Sequence, residues 1–105
     1  MLKTWLLGLS AVLVLAPIVA WSEGAADITI DNFKFSQPVL TVSPGTEVTW
    51  TNHDDIPHSI VMTALHVQSK AMDTDKAFTY KFDKAGTFFY VCGLHPFMQA
   101  KVVVK

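Results

Sequence analysis

Few side chains in this sequence can do chemistry. There is one thiol, Cys92, together with four histidines at 53, 58, 66 and 95 and the thioether of Met98. Cys92, His95 and Met98 fall within the single run Cys92-Gly93-Leu94-His95-Pro96-Phe97-Met98. Gly93 and Pro96 interrupt any strand there, so the run reads as a tight loop. Ligand atoms spaced three residues apart on such a loop can converge on one point, and a further ligand must then come from elsewhere in the fold. A thiolate with two imidazoles and a weak thioether is the trigonal donor set of blue-copper sites. Thiolate and thioether suit Cu(I), and imidazoles suit both copper oxidation states. Zinc binds Cys and His too, but a structural zinc site draws all four ligands from those types and does not use Met. Taken singly, a lone Cys or Met is usually an apolar core residue, and it is their combination at this spacing that indicates a metal.

These residues need a frame, and the frame is written in period two. Ile28 and Ile30 alternate with polar residues, and Phe33 and Phe35 resume the alternation after Asp31-Asn32. Leu40 with Val42, then Val48 with Trp50, repeat it. Ser43-Pro44-Gly45-Thr46 has Pro and Gly at the central positions favoured by a type II turn. The polar run from Asn52 to Pro57 ends a strand, and His58 to Met62 is a short β-rich stretch. Phe78, Tyr80 and Phe82 alternate again, Lys84-Ala85-Gly86 is a turn, and strands follow over Thr87 to Cys92 and Ala100 to Val104. The region from Thr63 to Lys76 reads as a short strand near Leu65 to Val67 followed by a loop. About seven short strands with turn signals between them predict an all-β fold, an antiparallel β-sandwich.

The 105 residues fit one domain. Eight lysines, no arginine and nine acidic residues leave a net charge of −1, with no basic stripe for nucleic acid. Lys3 precedes an uncharged stretch from Trp5 to Ala20, and small residues follow it, the pattern of a secretory signal peptide. Cleavage is expected after Ser22 or Ala26, which makes 1–26 the signal and 27–105 the domain. An uncleaved membrane anchor is the alternative, although the stretch is short for a span and Pro17 weakens its end. A domain of roughly 80 residues buries a modest core, and a single cysteine allows it no internal disulfide. A bound metal would add stability. It would also explain an unpaired thiol in an oxidising compartment.

The run Tyr90 to Met98, with two residues between Cys and His and two between His and Met, resembles the copper loop of the cupredoxins, the type I blue copper proteins, and of their amicyanin branch most closely. Pro57-His58-Ser59 resembles the segment that gives the family its first His ligand. The resemblance implies a Greek-key β-sandwich of seven or eight strands, with one copper ion held by His58, Cys92, His95 and Met98. On this basis His58 is preferred to His53, whose acidic neighbours read as a solvated loop, and His66 is given no metal role. The family usually has Asn where Ser59 stands. Its hydroxyl could make one of the bonds by which that Asn ties the ligand loops together. The implied function is that of a periplasmic electron carrier, not an enzyme. It would be a monomer with no small-molecule substrate, meeting transient redox partners near His95, Pro96 and Phe97. Copper delivery on the same fold is the alternative.

Overall fold

The computed structural model describes residues 24–105, so the segment read as a signal lies outside the described residues apart from 24–26. Among the described residues there are nine strands: β1 (Ala25–Asp31), β2 (Lys34–Phe35), β3 (Val39–Val42), β4 (Thr46–Asn52), β5 (Val61–Met62), β6 (Val67–Gln68), β7 (Ala77–Phe82), β8 (Gly86–Val91) and β9 (Gln99–Val104). A single 3-10 turn at Thr63–Leu65 joins β5 to β6. The count exceeds the expected seven or eight because β2, β5 and β6 are two residues long, too short for alternation to reveal.

The strands form two sheets, ordered β2-β1-β4-β7 and β3-β9-β8-β5-β6. This is the expected sandwich. Most ladders are antiparallel, but β1 runs parallel to β4 and β3 parallel to β9. Each parallel pair lies within one sheet, and between its two strands the chain passes through the other sheet. Alternation places the core. Ile28 and Ile30 of β1, and Val48 and Trp50 of β4, are fully buried, and they face Leu40, Tyr90, Val102 and Val104 of the opposite sheet. Trp50 meets Tyr90 edge-on across the sandwich, with ring centroids 5.3 Å apart. Burying a side chain of this kind contributes about 2–3 kcal/mol. Burial pushes the Tyr90 phenol up to about 12, an effect that the neighbouring Trp50 indole only partly offsets.

Two turns carry residues in the left-handed region. Gly45 has φ 90°, the left-handed conformation expected of a type II turn. Between β1 and β2 the two-residue loop Asn32-Phe33 has φ 49° and 57°, the signature of a type I′ turn. Because β1 parallels β4 and β9 returns along β8, this turn, the loop after β4 and the loop from Cys92 to Met98 all gather at one end of the sandwich.

Candidate metal centre

The loop after β8 closes on itself through the backbone. His95 N–H donates to the Cys92 carbonyl (3.3 Å), Met98 N–H to the His95 carbonyl (2.9 Å) and Cys92 N–H to the Met98 carbonyl (3.1 Å). These bonds hold the three residues in a compact ring at the start of β9. His58 comes from the loop between β4 and β5, where it pairs with Met72 in an isolated antiparallel bridge. Its N–H donates to the Met72 carbonyl and its carbonyl accepts from the Met72 N–H, at 3.2 and 2.7 Å.

The two loops bring three ligand atoms together. His58 Nδ1 lies 3.5 Å from Cys92 Sγ, and His95 Nδ1 lies 3.7 Å from it. All three atoms lie within 4.8 Å of one another. Bonds of about 2.3 Å to sulfur and about 2.0 Å to nitrogen, opening at roughly 110–120°, separate the two donors by roughly 3.5–3.8 Å. The observed spacing therefore fits a shared ion. Cys92 and His58 are fully buried, and His95 is half-buried. Among the described residues, no other group of His, Cys and acidic side chains converges in this way. Met98 is buried on the same loop. His53 lies apart, its Nδ1 3.4 Å from an exposed Asp75 carboxylate. His66 is exposed at the left-handed end of the 3-10 turn.

Two contributors were not legible in the sequence. Asp54, read there as part of a solvated loop, is buried. Its carboxylate Oδ2 lies 2.7 Å from His58 Nε2 and accepts the Phe33 N–H at 3.0 Å, while Oδ1 accepts the Asn32 N–H at 2.6 Å. Burial pushes the Asp54 carboxyl up, but the Phe33 N–H, the His58 ring and the Asn32 N–H outweigh it and hold it below the usual carboxylate range. A carboxylate against Nε2 places the ring proton there and leaves the Nδ1 lone pair facing Cys92 Sγ. Phe33 sets its ring edge-on to both imidazoles, with centroids 5.6 Å from His58 and 5.2 Å from His95. The sequence reading had Phe33 resume the strand alternation with Phe35, but the structure holds Phe33 in the turn at φ 57° and 40% exposed, and only Phe35 enters the core.

Comparison with known proteins agrees with this geometry. Residues 4–104 match the family model of the cupredoxin-like domain. The chain is a cupredoxin. Amicyanin of Paracoccus denitrificans is 35% identical over 89 residues, which span 80% of this chain and 68% of the relative. Amicyanin-alpha of Methylorubrum extorquens is 32% identical, over 78% of this chain and 73% of the relative. A solved structure of a Cu(I) form of an amicyanin variant superposes with a TM-score of 0.74 at 37% identity, covering 78% of this chain and 83% of that one.

The donor set of this cupredoxin fits one copper ion: a buried thiolate and two imidazole nitrogens with a thioether on the same loop. Ser59, which replaces the family's usual Asn, ties the two ligand loops together. Its Oγ accepts the Gly93 N–H at 3.1 Å, and its own N–H donates to Cys92 Sγ at 3.4 Å. Gly93 is required for this approach, since a Cβ there would stand 2.7 Å from Ser59 Oγ and 3.0 Å from Val61 Cγ2.

Proposed function

We propose that this cupredoxin is an exported, periplasmic carrier of single electrons, using one type I copper ion held by His58, Cys92, His95 and Met98. The observation that carries the reading is the convergence of Cys92 Sγ with His58 Nδ1 and His95 Nδ1 at 3.5 and 3.7 Å, directly beneath an apolar surface. Bound copper supplies a one-electron Cu(II)/Cu(I) couple. The protein supplies a fixed site. Cys92 and His58 are sealed from water, so both would hold the ion from the protein interior. The closed backbone ring from Cys92 to Met98 resists rearrangement when the charge of the centre changes. His95 reaches toward solvent beside Leu94 and Phe97, which are 52% and 69% exposed. That rim suits brief docking of redox proteins, with His95 as the port. Cleavage of the signal after Ser22 leaves β1 whole, whereas cleavage after Ala26 removes its first two residues.

The absorption spectrum of the Cu(II)-loaded protein tests this reading. An intense band at about 600 nm, bleached by ascorbate, is expected of a copper–thiolate centre of this kind. A colourless protein would overturn it. Fast surrender of copper to a chelator, without electron exchange, would favour copper delivery instead.

A further inference from the structure

We propose that Asp54 and the Asn32-Phe33 turn form one positioning unit for the metal centre: the carboxylate orients His58, and the turn braces both imidazoles with the Phe33 ring. The inference rests on the reading of His58 and His95 as ligands.

The starting point is a backbone conformation that the residue does not favour. Phe33 occupies the second central position of a type I′ turn, with φ 57°. Glycine is the usual residue there, because it alone meets no Cβ penalty in the left-handed region. A bulky residue persists in such a place only when its surroundings hold it and its side chain is needed. Asp54 provides the hold. One carboxylate receives both N–H groups of the turn, at 2.6 and 3.0 Å, and faces the His58 Nε2 at 2.7 Å. Asp54 is itself fixed at both of its backbone groups, its N–H donating to Asn52 Oδ1 and its carbonyl accepting from Thr74 Oγ1.

The ring shows what the conformation achieves. It stands at 87° to the His58 plane and 88° to that of His95, so a single side chain buttresses both ligand rings. Core burial does not account for it, because Phe33 is 40% exposed. A glycine would suit the turn better and leave both imidazoles without this support. Movement of the turn would therefore release the brace on His95 and the orienting contact on His58 together.

The test uses the copper-loaded full chain and the variants Phe33→Gly, Phe33→Tyr, Asp54→Asn and the double variant F33G/D54N. The rate of copper transfer to excess chelator is measured, with thermal unfolding of the metal-free protein alongside. Phe33→Gly should leave unfolding unchanged or raise its midpoint, yet speed copper release about tenfold or more, the scale on which outer partners of metal ligands act. Phe33→Tyr should keep the parental rate. Asp54→Asn should speed release comparably. In the metal-free protein at about pH 8, it should also move the His58 ring away from the Nε2–H tautomer in 15N spectra. The double variant should release copper no faster than the faster single variant, because one unit can be broken only once. A parental release rate in Phe33→Gly, or effects that add in the double variant, would overturn the proposal. A parent chain that shows no blue band would instead remove the ligand reading, and the proposal with it. The parent spectrum separates the two failures.

Discussion

Around Cys92, one serine takes over two connections. The Ser59 N–H is directed at the sulfur, and its hydroxyl holds Gly93, the next residue along the copper loop. The first bond belongs to the backbone and survives any side-chain change. Ser59→Ala should therefore leave the copper–thiolate absorption where it is. The Gly93 N–H would lose its partner, which costs about 1–2 kcal/mol of folding stability. Denaturant unfolding measures that loss. A displaced absorption band would show that the hydroxyl also acts on the sulfur. At this scale the sequence was legible where converging side chains are neighbours in the chain. The spacing of Cys92 and His95 pointed to their convergence, which the fold completes with His58. Asp54 gave no such sign, because its partners Asn32 and Phe33 lie 22 and 21 residues away and an acid in a polar run resembles a solvated one. Only the folded chain shows it facing His58 from within.

Strand alternation foretold the inward residues Ile28, Ile30, Phe35, Leu40, Val48, Trp50 and Phe82, because each strand has one face on a common core. It carries no information on direction or partner, so the parallel pairing of β1 with β4 was invisible. That pairing has a consequence at the N-terminus. Ala25 and Ala26 lie in register with Glu47 and Val48, and the Glu47 N–H donates to the Gly24 carbonyl at 2.9 Å. A chain that begins at Asp27 loses these bonds at the edge of the core, while one that begins at Glu23 keeps them. The shorter form should be less stable by about 1–2 kcal/mol, the worth of one or two net hydrogen bonds. It should show a lower denaturant midpoint. Equal midpoints for the two forms would mean that the first residues of β1 add nothing to the fold.

For the whole molecule, size and metal are linked. A small sandwich with no disulfide gains stability from any ion that binds its folded state alone. Copper at about 100 times its dissociation constant should add about 2.7 kcal/mol to unfolding, and stripping it should lower the melting temperature accordingly. The converging His58, Cys92 and His95 lie at an end of the sandwich that also exposes apolar side chains, with Phe33, Leu94 and Phe97 around the edge of His95. Phe97 has no part in the buried core, since it is 69% exposed and its ring centroid lies 6.1 Å from that of His95. Phe97→Glu should then change stability by only about 0.5 kcal/mol, as surface substitutions generally do. The blue band should stay in place. What should change is the encounter: a carboxylate in the centre of an apolar contact must be stripped of water when a partner docks. The second-order rate of electron exchange with a redox partner, followed by stopped-flow bleaching of the blue band, is expected to fall about tenfold for each 1.4 kcal/mol of docking energy lost. A rate equal to that of the parent would move the docking surface away from His95, to some other part of the sandwich. A collapsed spectrum would make Phe97 a support of the centre, like Phe33, and no longer part of its contact surface.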